Sequence, residues 1–140
     1  MEKEALALDA SVIVKWFSEE EYTGIALGIR KRFFDGALNV VVPELMFYEV
    51  SNAIRYNRVL SLEEKLELID DIFSMGFDVV TSNKEILSEA MKSALDTNTT
   101  IYDNVYLAVC RFRRCNLITA DKVFRDKVNT NEVIFIGELE

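Results

Sequence analysis

Leu117-Ile118-Thr119-Ala120-Asp121 and its earlier counterpart, Ala5-Leu6-Ala7-Leu8-Asp9, decide how this chain folds. Each is a short, largely apolar run without polar alternation, the pattern of a strand buried on both faces, and each is closed by an aspartate. Similar runs at about residues 38 to 42, 77 to 80 and 133 to 136 make five expected strands. Between them the apolar residues recur at helical spacing. Helices are expected at about residues 10 to 17, 21 to 34, 44 to 58, 62 to 74, 84 to 95, 102 to 113 and 121 to 128. Strands alternating with helices predict a three-layer α/β/α architecture around a parallel sheet. In such sheets the carboxyl ends of the strands open on a crevice, so acids placed there meet from distant parts of the chain.

The chain has 140 residues, half of them hydrophobic, and no repeat, low-complexity run or Pro/Gly/Ser linker divides it. Folding at this size buries roughly two thirds of the unfolded surface, so a single domain over residues 1–140 is expected. Uncharged stretches such as Gly36 to Pro43 are too short to span a bilayer, and Met1-Glu2-Lys3-Glu4 lacks the basic-then-apolar order of a signal peptide. A cytoplasmic protein with no membrane partner is therefore expected. Cys110 and Cys115 match neither a zinc pattern nor a disulfide framework and read as reduced thiols. Histidine is absent, which excludes Ser-His-Asp triads, zincin-type helices and histidine-based ribonuclease chemistry. A net charge of -8 argues against broad electrostatic attraction to nucleic acid, without excluding RNA bound through local basic groups or cations.

Four acids stand out: Asp9, Glu49, Asp103 and Asp121. Asp9 and Asp121 also suit helix caps, and Thr100-Ile101-Tyr102-Asp103 resembles a capping box with Asp in the last place. Ser61-Leu62-Glu63-Glu64 and Ser82-Asn83-Lys84-Glu85 fit the same box and are read as structural. Glu49 has no capping role. At about 100° per residue it falls within about 60° of the stripe Met46, Val50, Ala53 and Ile54 that should face the core. An acid at the rim of a buried stripe needs a partner or must reach solvent. Clustered carboxylates repel one another, and tolerate neutral pH only by holding protons or a hard cation. Ser11, Asn52 and Thr119 lie beside these acids and are suited to orient them; turn and helix-end chemistry is their ordinary use. Lys15, Arg55 and Arg58 are weaker candidates for phosphate contact, and Arg111, Arg113 and Arg114 read first as charge at a helix C-terminus.

Asp9-Ala10-Ser11 after the first strand, Glu49-Val50-Ser51-Asn52 in a helix, Tyr102-Asp103 followed by Tyr106-Leu107-Ala108, and Thr119-Ala120-Asp121 after a late strand together resemble a PIN domain. The likeness runs from Leu6 to about Ile136 and is nearest to the VapC-type toxin ribonucleases of prokaryotic toxin-antitoxin pairs. It implies that Asp9, Glu49, Asp103 and Asp121 bind one or two Mg²⁺ or Mn²⁺ ions, supported by Ser11, Asn52 and Thr119. Some relatives carry a further acid two positions after the last one, where this chain has Val123, so a second ion would have one carboxylate fewer to hold it.

Quartet and missing histidine together predict metal-assisted hydrolysis of RNA phosphodiesters by an activated water, leaving 5′-phosphate and 3′-hydroxyl ends. The resemblance further implies a VapB-type antitoxin that covers the acidic crevice by inserting a basic side chain, and a homodimer. Phe47, Tyr48, Leu62 and Leu66 are candidate dimer contacts, although packing within the monomer is the expected use of most of them. Three other readings compete. A haloacid-dehalogenase-like phosphatase wants an acid where Ser11 stands, and a receiver domain wants paired acids after its first strand, whereas Glu2 and Glu4 precede it. A non-catalytic PIN-like module would bind RNA or protein without cutting.

Overall fold

The computed structural model describes residues 3–139. Five strands, β1 (Glu4–Leu8), β2 (Leu38–Pro43), β3 (Asp78–Val80), β4 (Asn116–Thr119) and β5 (Val133–Phe135), form one sheet in the order β3-β2-β1-β4-β5. Every pairing is parallel. Successive side chains of a strand point to opposite faces, so the consecutive burial of Leu6, Ala7 and Leu8, and of Val40, Val41 and Val42, requires cover on both sides. Seven helices among the described residues supply it: α1 (Ala10–Ile13), α2 (Thr23–Phe34), α3 (Leu45–Arg55), α4 (Leu62–Ser74), α5 (Lys84–Thr97), α6 (Ile101–Phe112) and α7 (Lys122–Val128). The result is the expected three-layer α/β/α arrangement. No helix among the described residues is long and apolar enough to cross a membrane.

The strand order places the site. The chain winds outward from β1 through β2 to β3, then returns to pair β4 against the other side of β1. The crevice between β1 and β4 is therefore the topological switch point, where ligands of open α/β sheets bind. Leu8 pairs with Ile118, and the Asp9 N–H continues the ladder onto the Ile118 carbonyl at 3.3 Å. Asp9 and Asp121, far apart in sequence, thus leave the sheet side by side.

Several local expectations are corrected. The first helix ends at Ile13 and tightens into a 3-10 turn over Val14–Trp16, because the β-branched run Val12-Ile13-Val14 is a weak helix former. Helix α3 stops at Arg55, not at residue 58: the Asn57 carboxamide oxygen accepts the N–H groups of Val59 and Leu60 at 2.9 and 3.0 Å and offers the backbone a turn instead. The Ser61 capping box forms as expected, with both reciprocal hydrogen bonds. Helix α5, by contrast, is capped by Asn83, which accepts the Ile86 N–H at 2.9 Å, so Ser82 lies outside it. Phe47 is buried and stacks on Phe73, but Tyr48, Leu62 and Leu66 are exposed, against the expectation that most of this set packs internally.

Candidate active site

Asp9 precedes α1 in an extended conformation but makes no side-chain cap to it. Its carboxylate is drawn toward β4, where it accepts hydrogen bonds from the hydroxyls of Ser11 and Thr119. Each hydroxyl is in turn oriented by a backbone donor: Ser11 Oγ accepts the Ala120 N–H and Thr119 Oγ1 accepts the Asp121 N–H, both at 3.0 Å. These four bonds tie the ends of β1 and β4 together and lock Asp9 in place. Asp9 is buried, and burial pushes its carboxyl up from 3.8 to about 6; the nearby charge of Asp103 adds to the rise, and the two hydroxyls oppose it.

Glu49 is half-buried on α3, on the flank of the stripe Met46, Val50 and Ile54, and its partner comes from α6. Tyr106 donates its phenolic O–H to Glu49 Oε1 at 2.7 Å. The phenolic oxygen of Tyr106 also faces the Ala10 backbone N–H, so one buried phenol links α6, α3 and the start of α1. Burial and then the charge of Glu49 raise the phenol well above its ordinary range, which keeps it a donor. Glu49 is itself raised by burial, with Asp103 contributing in the same direction and the tyrosine bond opposing.

Asp103 sits in the first turn of α6, its N–H bound to the Thr100 cap at 3.1 Å. Burial raises its carboxyl, the Thr100 hydroxyl opposes the rise and the charge of Asp121 adds to it. Asp121 does cap α7, accepting the Phe124 N–H on Oδ1 at 3.0 Å. That leaves Oδ2 without a hydrogen-bond partner among the described residues. Asp103 feels Asp121, and Asp9 and Glu49 both feel Asp103, so it is the member through which the four acids are electrostatically linked.

Not every expected residue joins them. Asn52 is exposed and makes no hydrogen bond to the acids: one turn beyond Glu49 it has already rotated off the crevice. Lys15 is buried and paired with Glu20 at 3.3 Å, which removes it as a phosphate contact. Arg111 and Arg113 pair with Glu132 at 2.9 Å and Asp78 at 2.8 Å. Tyr106 is the residue that sequence reasoning missed as part of the site. Its signal was present, since it lies three positions after Asp103 and so shares a helix face with it.

Carboxylates and hydroxyls are hard oxygen donors of the kind that suit Mg²⁺ or Mn²⁺. Among the described residues no three acidic groups converge closely enough to cage an ion. The arrangement therefore fits a cation that keeps much of its water, with some of the acids reaching it through that water, as is common for Mg²⁺. Burial raises the carboxyls of Asp9, Glu49 and Asp103, a cost that a bound cation would offset. A larger apolar cavity of about 520 Å³, lined by Phe47, Phe73 and Phe77, lies apart from the acids; Asp103 and Asp121 open on a separate cavity of about 330 Å³.

Acids gathered at the switch point of a parallel three-layer fold define the class, an α/β protein with a carboxylate-lined site. Within that class the PIN domain profile matches residues 6–129, and the chain belongs to the PIN domain family. Sequence comparison with curated proteins finds no match. Among solved structures, PAE2754 from Pyrobaculum aerophilum is similar over 98% of this chain and 92% of its own, at 24% identity and a TM-score of 0.68. A toxin-antitoxin complex from Klebsiella pneumoniae is similar over 94% and 97%, at 15% identity and a TM-score of 0.70. VapBC-1 from nontypeable Haemophilus influenzae is similar over 95% and 98%, at 13% identity and a TM-score of 0.65.

Proposed function

We propose that this protein is a metal-dependent endoribonuclease of the VapC toxin type, which hydrolyses RNA phosphodiesters to 5′-phosphate and 3′-hydroxyl ends. The observation that carries the reading is the quartet at the switch point, with Asp9 held by Ser11 and Thr119 and Glu49 held by Tyr106. Such anchoring suits side chains that must keep one orientation while charge develops beside them. When bound, Mg²⁺ or Mn²⁺ would make water a stronger nucleophile and offset phosphate charge. Asp9 and Asp121 are assigned as its central ligands and Asp103 as a ligand from the start of α6. Glu49, fixed through Oε1, has Oε2 left to accept a hydrogen bond from the attacking water. The absence of histidine leaves carboxylates as the groups able to take that proton.

Toxin-antitoxin complexes among the structural neighbours support a VapB-type antitoxin as partner, with a basic segment entering the acidic crevice. Exposed Tyr48, Leu62 and Leu66 support a homodimer, and the cytoplasm is the proposed location. The test is cleavage of a panel of structured and single-stranded RNAs by the wild type and Asp9→Asn in Mn²⁺, Mg²⁺ and EDTA, with end-group analysis. Cutting that needs both metal and Asp9 and leaves 5′ phosphates is expected. Equal cutting by the variant, or cutting in EDTA, would overturn the assignment.

A further inference from the structure

We infer that the cavity beside Asp103 and Asp121 is a nucleotide subsite, in which Lys127 binds an RNA phosphate next to the bond being cut. This rests on the nuclease reading and adds to it the residue that places the strand. The cavity, of about 330 Å³, joins the two acids to Asn98, Thr99, Val123 and Lys127. Among the described residues the Lys127 side chain has no ion pair or hydrogen bond, and it is the basic side chain that lines this cavity. It is thus a cation left for a ligand at a site whose other charges are negative. A compact ammonium is suited to a phosphate oxygen as a point charge.

The walls fit a nucleotide as well. Val123 precedes Lys127 by one turn of α7, so the two share a helix face, and Val123 is 65% exposed, an uncharged surface for the flat side of a base. Opposite chemistry comes from the α5–α6 connection. There Asn98 holds a left-handed conformation at φ 54°, and its carboxamide has no hydrogen-bond partner among the described residues. The rim is pre-set from within: buried Asn104 donates to Thr99 Oγ1 at 2.6 Å and to the Thr100 carbonyl at 2.7 Å, and Thr97 and Thr99 share a further bond at 2.7 Å. A wall fixed in this way loses little freedom on binding. An acidic peptide would also meet Lys127, but Asp103 and Asp121 would repel it, whereas the phosphate of a substrate would be accompanied by the divalent ion that those acids would hold.

The test pairs kinetics with direct binding, using a fluorescein-labelled single-stranded oligoribonucleotide of mixed sequence. Lys127→Ala, Lys127→Arg and the wild type are compared for KM and kcat in Mn²⁺, and for anisotropy-measured affinity in EDTA across a salt series. Lys127→Ala should raise KM about tenfold with kcat little changed, and lower the slope of log affinity against log salt by about 0.7, the value for one lost phosphate contact on a single strand. Lys127→Arg should restore both. A Lys127→Ala protein with wild-type KM and salt slope overturns the subsite while the nuclease reading stands. A wild type that neither binds nor cuts RNA removes both.

Discussion

Replacing Asp9 by asparagine should stabilise the metal-free protein at neutral pH, although it removes a central residue of the site. Asp9 is 9% exposed and its carboxyl is pushed from 3.8 to about 6, chiefly by burial. At pH 7 a carboxyl raised this far costs about 3 kcal/mol of stability. The folded state binds the proton more tightly than the unfolded chain, so the cost is absent below pH 3.8 and develops as pH rises through about 6. Asparagine carries no charge and escapes it. The amide keeps one acceptor oxygen, however, so only one of the Ser11 and Thr119 hydroxyls retains its bond, a loss of about 1 kcal/mol. The net gain is about 2 kcal/mol at pH 7, a rise in Tm of about 6 °C for a chain of this size. Near pH 4, where little of the charge cost remains, the sign should reverse to a loss of about 0.5 kcal/mol. Thermal melts followed by circular dichroism in EDTA, between about pH 4 and pH 8, give the comparison. A variant less stable than wild type at neutral pH, or a difference that does not change with pH, would refute the account of a charged, buried Asp9. Adding Mn²⁺ should then raise the Tm of the wild type and leave the variant nearly unchanged, since only a folded state with its ligands intact gains from the ion.

Three further outcomes are expected. Tyr106→Phe removes a donor to Glu49 and an acceptor for the Ala10 N–H, and should lower stability by about 1 to 3 kcal/mol in chemical denaturation. Because the phenol holds the Glu49 carboxyl down, its loss should also move the acid limb of cleavage to higher pH. In the wild type, cleavage at low metal concentration should fall as pH drops through about 6, where Asp9 takes its proton; a rate independent of pH down to the ordinary carboxylate range would count against Asp9 as a ligand. Ser61→Ala opens the capping box of α4 and should cost about 1 kcal/mol, or about 3 °C in Tm, with RNA cleavage unaffected.

Much of the fold was legible because its signals are local. Leu117-Ile118-Thr119-Ala120 and Ala5-Leu6-Ala7-Leu8 are apolar on both faces, and only a strand covered on both sides makes use of that. The Ser61 box declares a helix start through residues three positions apart. Where two local signals competed, sequence was a poorer guide. Ser82 was expected to cap α5 and its neighbour Asn83 does so instead; Asn57 ended α3 early because its own carboxamide captured the following N–H groups.

The candidate site divides along the same line. The residue types, the two strand-end positions of Asp9 and Asp121, and the awkward place of Glu49 on its stripe were determined by sequence alone, since periodicity states which face of its own element a residue occupies. Tertiary structure alone decided what lies across from that face. Pairing β1 with β4 set Ser11 and Thr119 on Asp9 and took it away from its helix cap; laying α6 across β1 and β2 delivered Tyr106 to Glu49, while Asn52, with an equally good sequence argument, was left in solvent. Burial and the mutual charges that raise three of the four carboxyls also arise only once these elements meet, because desolvation and Coulomb energy depend on distances through space and not along the chain.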